Sequence, residues 1–294
     1  MTATIVAQQA INGIVLGSLY VLVALGLTLI YGVLVQINFA HADFVTLGAF
    51  SAYFFMHTLG GNYLASIGVA LLVGGILGFL INVTVFAPLS RKGNELLPLI
   101  ATIGISTMLQ NGMLALFGPV PYAFETPYSQ QVFRVAGTFF TMQSIIIIAM
   151  STATIGLLYA FMKFTFLGKA LRAVSQDRET AGLMGIDQNY LIMLTFVLAS
   201  ALAGMGGAML APVLVLTPFA GASVIVKAFA IVIIGGFGNV EGTILAGLLV
   251  GLIESFTTQY LDPGLIDIVV FGLLLLMLAF RPTGLISERR EENV

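Results

Sequence analysis

Long apolar stretches separated by short polar connections are the dominant pattern along this chain. A helix needs about 20 apolar residues to cross the hydrocarbon core of a bilayer. The strands of a membrane β-barrel alternate apolar and polar residues instead, whereas Ile145–Ile148 is continuously apolar. The pattern therefore predicts an all-α, polytopic membrane protein. No Asp, Glu, Lys or Arg occurs within residues 1–42, 44–90, 96–124, 135–162 or 188–226.

The breaks in this pattern predict eight or nine transmembrane segments, packed as a helical bundle in one domain over residues 1–294. The second segment is short and carries glycine near its start, which is typical of a broken or re-entrant helix. The apolar segments are 9–31, 44–58, 63–87, 97–117, 141–162, 190–212, 223–237, 242–260 and 265–280.

Composition supports the same class and excludes several functions. Hydrophobic residues make up 59% of the chain and charged residues 8%, whereas soluble domains carry about 25% charged residues. The net charge of −2 excludes a basic nucleic-acid surface. The chain has no cysteine and no H-E-x-x-H motif, so no metal site is predicted. The N-terminus lacks the basic region of a signal peptide, and we expect the first segment to remain as a helix.

Basic residues set the predicted orientation. Three connections are rich in Lys and Arg, which marks the cytoplasmic side: Arg91–Lys92, Lys163–Arg178 and Arg281–Arg290. The loop 118–140 then lies outside. Nine spans would place the N-terminus outside and eight would place it inside, and residues 1–8 carry no charged side chain to decide.

The first departure from plain apolar helix is the segment 31–44. It places Asn38, His41 and Asp43 between two apolar stretches. One interpretation is a broken helix beside a translocation path, where irregular backbone is buried in protein or touches water. The other is a cytoplasmic loop whose Asp43 caps the next helix. Both remain open from these residues alone.

The second departure is Gly235–Gly242, which contains four glycines in eight residues. No Lys follows them, so the segment is not a P-loop for phosphate. It is either a second broken helix with Asn239 and Glu241 facing the path, or a tight turn with Asn239 as a helix cap. The order of glycine, asparagine and acid resembles the first departure, which suggests a structural repeat.

The third departure is the charged segment 166–187, within a predicted cytoplasmic loop at about 163–189. Its alternating charges and apolar residues predict a short amphipathic helix followed by a glycine turn. Such a helix would dock into a groove on another protein, although a solvated loop explains the charges equally well.

Charges inside the apolar spans are few. Lys227, Glu254 and Asp267 are the candidates, because charge in a bilayer is costly unless it is paired or hydrated. A pair between Lys227 and Glu254 would either hold the bundle together or line a path.

Several of these segments resemble the signatures of LIV-type permeases, the membrane subunits of branched-chain amino-acid ABC importers. Asn38-Phe-Ala-His-Ala-Asp43 is similar to the first signature, with Ala42 where glycine is usual. Ile233–Gly242 resembles the second, and the tail Phe280–Ile286 matches too. Glu179-Thr-Ala-x-x-x-Gly185 resembles the E-A-A-x-x-x-G coupling motif, with Thr180 in place of alanine.

The resemblance implies an assembly in the bacterial inner membrane. It predicts a paralogous permease partner, usually in a heterodimer, two cytoplasmic ATPase subunits that bind ATP, and a periplasmic binding protein that delivers the substrate. This chain would contact membrane lipid, bind no cofactor itself and catalyse no reaction. Its motifs imply two sets of functional residues. Those for coupling to the ATPases are Lys169, Arg172, Asp177, Glu179, Ala181 and Gly185. Those for the substrate pathway or helix breaks are Asn38, His41, Asp43, Asn239, Glu241 and Glu254.

Three alternatives follow from the same residues. Relatives of this type also carry urea, short amides or other amino acids. An ion-coupled secondary transporter needs buried acids in several spans, and few acids here qualify. An intramembrane serine enzyme needs a base near its nucleophile, but no histidine follows Ser223.

Overall fold

The computed structural model describes residues 2–90 and 96–286 as a bundle of α-helices. The long helices are α1 (Thr2–Leu34), α3 (Tyr63–Ile81), α5 (Leu96–Phe117), α6 (Met142–Phe164), α9 (Gln188–Leu210), α11 (Val240–Tyr260) and α12 (Ile266–Phe280). A π-helical turn, Asn82–Phe86, continues α3 into the short α4 (Ala87–Ser90). The shorter helices are α2 (His41–Thr58), α7 (Phe166–Gln176), α8 (Arg178–Leu183) and α10 (Ala220–Gly235), and a 3-10 turn, Pro263–Leu265, precedes α12.

Each of the nine predicted segments corresponds to a helix, which confirms the polytopic all-α fold. Seven helical segments in the described part of the chain are long and apolar enough to span a membrane. The other two predicted segments are α2 and α10, which are shorter. The predicted basic connection Arg91–Lys92 and the tail beyond Ile286 lie outside the described residues.

Helix α1 occupies the centre of the bundle. Its side chains are buried almost without interruption from Ser18 to Ile30, as expected for a helix that is apolar on all faces. Glycines allow its backbone to touch α11, because Gly17 lies against Leu248 and Gly251 lies against Gly17. Without a hydrophobic drive between helices in lipid, such close backbone contact is a main source of helix association.

Helix α9 is the second central element and uses the same device. A Cβ on Gly204 would overlap the carbonyl oxygen of Ala70 on α3, and one on Gly48 of α2 would overlap Gly204. Gly207 lies against the Val45 carbonyl in the same way. These contacts hold α9 directly against both α2 and α3.

The loop after α5 contains a β-hairpin that the apolar pattern did not predict. Strand β1 (Val132–Val135) pairs antiparallel with β2 (Thr138–Thr141). The turn residues Ala136 and Gly137 both have positive φ, as a type I′ hairpin turn requires.

This hairpin also shows which loop the N-terminus lies beside. The amide of Phe139 donates to Gln8 Oε1 at 2.8 Å, and Gln8 Nε2 donates to the Phe139 carbonyl at 3.0 Å. The start of α1 therefore lies on the same side as loop 118–140, the predicted outer side. This is the arrangement that nine spans require.

We predict that Gly204→Ala destabilises the chain whereas Gly156→Ala does not. Overpacking against the Ala70 backbone costs about 1–3 kcal/mol, more than the ~1 kcal/mol that alanine gains over glycine in a helix. A Cβ on Gly156 of α6 would meet no heavy atom of another described element within 4 Å. Thermal unfolding of the two variants in detergent measures the difference, and equal melting temperatures would contradict the packing argument.

Candidate functional site: two short helices that begin inside the bundle

Helix α2 begins deep inside the bundle and not at a membrane surface. A ring nitrogen of His41, its first residue, lies 3.1 Å from the carbonyl oxygen of Val23 on α1. Val23 precedes the end of α1 at Leu34 by about 16 Å, at the helical rise of 1.5 Å per residue. The irregular segment 35–40 therefore turns back from the end of α1 into the protein.

Helix α10 begins inside the bundle from the opposite direction. The segment 211–219 follows the outer end of α9 and pairs with the outer loop through Tyr122 and Leu216. The chain then enters α10, whose Gly221 amide donates to Thr46 Oγ1 of α2 at 2.9 Å. Helix α10 ends at Gly235, near the predicted cytoplasmic side, and Gly221 lies about 21 Å from Gly235 along the helix.

The N-terminal turns of these two helices therefore meet side by side. A Cβ on Gly221 would overlap the Ala42 carbonyl oxygen, so only glycine permits this contact. Each helix N-terminus carries about half a positive charge from its unpaired amides. Discontinuous helices that meet near the middle of a bilayer are typical of transporter binding sites. We call Asn38–Thr46 together with Ala220–Val224 the half-helix junction.

The predicted pathway residues of the first break are all buried at this junction. Asn38, His41 and Asp43 are each exposed by no more than 1%. Asn38 Oδ1 accepts from the Ala40 amide at 3.1 Å. One polar side-chain atom of each residue has no hydrogen-bond partner among the described residues: Asn38 Nδ2, His41 Nδ1 and Asp43 Oδ2.

The cytoplasmic-loop interpretation of this segment, with Asp43 as a cap, is wrong. The cap position is Ala40, which makes no side-chain cap hydrogen bond, and Asp43 lies within the first turn of α2. The two ionisable residues also face different helices, because His41 contacts α1 whereas Asp43 faces Ser106 and Gln110 of α5.

The second predicted break is a tight turn between α10 and α11. Asn239 Oδ1 accepts from the Gly242 amide at 2.7 Å and caps α11, and Glu241 is exposed beside Tyr159. The broken element of this half is the segment 211–219, which was not predicted from the sequence. Its signal is a pair of prolines, Pro212 and Pro218, within an uncharged apolar run.

Glu254 forms the predicted ion pair with Lys227 inside the bundle. The Lys227 Nζ lies 2.7 Å from Glu254 Oε1 and 3.3 Å from the hydroxyl of Tyr20 on α1. The pair connects α10 to α11 and α1. Its position favours a role in fixing the short helix α10 over direct contact with substrate. Asp267, by contrast, lies in the first turn of α12, outside this pair.

The predicted coupling segment folds as two short helices, α7 and α8. Asp177 ends α7 and caps α8, because its carboxylate accepts from the Thr180 amide at 3.0 Å and from the Thr180 hydroxyl at 2.5 Å. Gly185, with φ of +81°, ends α8. Its amide donates to Gly182 and that of Ile186 donates to Ala181, an arrangement close to a Schellman motif.

The remaining predicted coupling residues divide into an anchored face and an exposed face. Ala181 is buried in a cluster with Leu171 and Val174, packed against Val33 of α1 and Leu191 of α9. The exposed face carries four charged residues and the tip of the element: Lys169, Arg172, Asp177, Glu179, Leu183 and Met184. Motion of this element would therefore reach the ends of α1 and α9 directly.

A small apolar recess, with a cavity volume of about 20 Å³, lies on the outer side of the half-helix junction. Helices α2, α9 and α10 and the segment 211–219 enclose it. Thr46 is its one hydroxyl-bearing side chain among the described lining residues, and the others are glycine or aliphatic, including Val45, Leu210 and Val224. Such a wall suits an aliphatic group and offers little to a polar one.

We predict that Lys227→Met destabilises the chain by about 3–5 kcal/mol, because it leaves the Glu254 carboxylate buried without a partner. The matched double variant, Lys227→Met with Glu254→Gln, removes both charges and should recover most of this loss. Unfolding in mixed detergent micelles measures the three free energies. Equal losses in the single and double variants would contradict the pairing.

We predict that Thr180→Ala raises the pKa of Asp177, because hydrogen bonds from Thr180 hold the pKa of this carboxyl below its usual range. Because the pKa is lowered in the folded chain, the cap is stabilised at pH values above the unfolded pKa of about 3.9. This stabilisation is lost as the pH falls through the folded pKa. Carbon-13 NMR titration of the labelled chain measures the shift. Thr180→Ser retains the hydroxyl and is the control, so the same rise in both variants would contradict the assignment.

Comparison with known proteins agrees with these features over almost the whole chain. The family model described as branched-chain amino acid transport system / permease component matches residues 9–278. The permease protein BraD of the high-affinity branched-chain amino acid transport system of Pseudomonas aeruginosa is 34% identical over 98% of this chain and 97% of its own length. The corresponding LivH protein of Escherichia coli K12 is 32% identical, with the same coverage.

A second kind of permease from the same system is also similar. The LivM protein of Escherichia coli K12 is 22% identical over 98% of this chain and 72% of its own length. No solved structure matches the chain. The family model and the full-length relatives together show that this multi-pass membrane protein belongs to the branched-chain amino acid transport system permease component family.

Proposed function

We propose that the chain is one permease subunit of an ATP-driven importer for branched-chain or related small amino acids in the bacterial inner membrane. The observation that carries the proposal is the half-helix junction. Two short helices enter it from opposite sides, and their N-terminal turns meet where the substrate would cross the middle of the membrane.

Alternating access at this junction follows from the two irregular segments. Segment 35–40 leads to the junction from the predicted cytoplasmic side, and segment 211–219 leads to it from the outer side. Displacement of one segment at a time would open the junction to one side only. The buried, unpartnered atoms of Asn38, His41 and Asp43 are the groups that would face the substrate.

The energy for this cycle would come from two ATPase subunits on separate chains, which bind the ATP. Helices α7 and α8 support this role, because they expose Glu179 and the apolar tip Leu183–Met184 on the predicted cytoplasmic side. Their buried face contacts α1 and α9, the two central helices. A paralogous permease, as the relatives named LivH and LivM suggest, would complete the pathway, and a periplasmic binding protein would deliver the substrate.

An aliphatic amino acid fits the junction better than urea or a short amide. The relatives are named for branched-chain amino acids. The recess beside the junction is almost entirely aliphatic, and burying an unpaired amide there would cost about 1–3 kcal/mol.

We predict that Asp43→Asn lowers transport at least tenfold while the complex still assembles. The variant keeps the shape of the side chain but removes the charge, and a charged hydrogen bond contributes about 1.5–3 kcal/mol. The measurement is uptake of labelled L-leucine into proteoliposomes that contain the complete complex, with ATP inside and loaded binding protein outside.

The matched control is Ser151→Ala on α6, which removes another buried polar atom without a partner among the described residues, distant in sequence from both short helices. It should leave uptake unchanged. Uptake by this chain alone under an ion gradient would exclude the ATP-driven mechanism. Competition by urea, but not by L-isoleucine, would exclude the proposed substrate class.

A further inference from the structure

A large groove on the predicted cytoplasmic side joins the coupling helix α7 to the turn between α10 and α11. Its cavity volume is about 320 Å³, at the lower end of the size range of small-molecule sites. Helices α1, α6 and α7 form its walls together with the first residues of α11. It is separate from the half-helix junction, which shares none of its lining residues.

The charged groups of this groove are of both signs. Arg172 of α7 and Lys163 of α6 supply two cations, and Glu241 of α11 supplies an acid. Lys163 Nζ donates to the Tyr159 hydroxyl at 3.2 Å, and this hydroxyl donates to Glu241 Oε1 at 3.3 Å. A phenol hydroxyl therefore stands between the cation and the carboxylate.

The guanidinium of Arg172 makes no hydrogen bond or ion pair within residues 2–90 and 96–286. A free guanidinium at a groove wall suits a carboxylate, which it can bind through two parallel hydrogen bonds. Glu241 on the opposite element suits an ammonium group. The lining also contains the aliphatic residues Leu29, Val33 and Leu171, together with polar residues.

This combination matches one class of small molecule. A zwitterion with an aliphatic side chain carries a carboxylate, an ammonium and an apolar group, and the groove offers a complement to each. We propose that the groove is a cytoplasmic binding site for an aliphatic amino acid, distinct from the site in the membrane. The choice of L-leucine as the molecule to test rests on the proposed function.

Occupancy of this site would affect the transport cycle, because its two walls belong to different parts of the mechanism. Arg172 moves with the coupling helices, whereas Glu241 belongs to α11, next to the capped turn at Asn239. A bound amino acid would bridge them and oppose their separation. Accumulated product would therefore slow ATP hydrolysis by the complete importer.

The test is equilibrium binding of L-leucine to the complete complex in nanodiscs, without binding protein and without ATP. We expect saturable binding that weakens about tenfold in Arg172→Gln and in Glu241→Gln, the loss expected for one charged hydrogen bond. The matched controls are Lys169→Gln on the same helix and Glu179→Gln on α8, which lie outside the groove and should bind as the unaltered complex does.

Two analogues test the zwitterion itself. 4-Methylpentanoate lacks the ammonium and 3-methylbutylamine lacks the carboxylate. Each should bind at least tenfold more weakly than L-leucine, because each loses about one charged hydrogen bond. Equal binding of either analogue, no saturable binding of L-leucine, or equal losses in the control variants would overturn the proposal.

A phosphatidylethanolamine headgroup also carries an ammonium and an anion, so the lipid composition is varied. Binding that is present in phosphatidylglycerol nanodiscs but lost when phosphatidylethanolamine is added would assign the groove to lipid and overturn the proposal. Asp43→Asn separates this inference from the proposed function. It should lower uptake and leave this binding intact, so either result can fail independently of the other.

Excess L-leucine should also lower the rate of ATP hydrolysis at least twofold in complexes that loaded binding protein has already stimulated. The ratio of hydrolysis with and without excess L-leucine should return to about one in Glu241→Gln, and remain lowered in the control variant Ser151→Ala. An unchanged ratio in the unaltered complex would overturn the regulatory part of the inference.

Discussion

A backbone that stops being helical inside a membrane must find new partners for its amides and carbonyls, since each unpaired group in hydrocarbon costs several kcal/mol. This constraint governs the half-helix junction. The Ala40 amide bonds to Asn38, the Phe39 amide to Thr102 of α5, and the Gly221 amide to Thr46. Such partners exist only because the surrounding helices pack closely enough to exclude lipid. The glycines of α1, α9 and α11 are thus a precondition for the two breaks.

The same packing connects the breaks to the cytoplasmic helices. Helix α9 contacts α2 through Gly204 and Gly207, and its first turn contacts α8 through the cluster around Ala181. Helix α1 likewise runs from the coupling cluster at Val33 to the His41 contact at Val23. Helix α1 therefore reaches α7 and α8 with its end and the junction with its middle, whereas α9 reaches α8 with its first turn and the junction near its other end, at Gly207.

The type of the long helices and their approximate positions could be predicted from the apolar stretches, because a bilayer constrains helix length and composition. Residue type suggested the pair Lys227–Glu254 and left the cap at Asn239 as one of two interpretations. The inner break at 35–40 was signalled by its polar residues, but the outer break at 211–219 was not. It carries no charge, and only contacts such as that of Leu216 with Tyr122 show that it is packed against protein. The groove beside Arg172 joins distant segments, so spacing along the chain offered no sign of it.

Few polar contacts hold the start of α10 at the junction, although much of the helix is buried. One neutral hydrogen bond, from Gly221 to Thr46, contributes about 1 kcal/mol. The attraction between Lys227 and Glu254 is offset by the cost of burying both charges. Helix α1, in contrast, is buried along most of its length. A rearrangement therefore meets least resistance at the junction, where few bonds must be exchanged, and leaves the contact between α1 and α11 intact. Binding energy from the substrate, and force from the coupling helices, would act on the same small set of contacts.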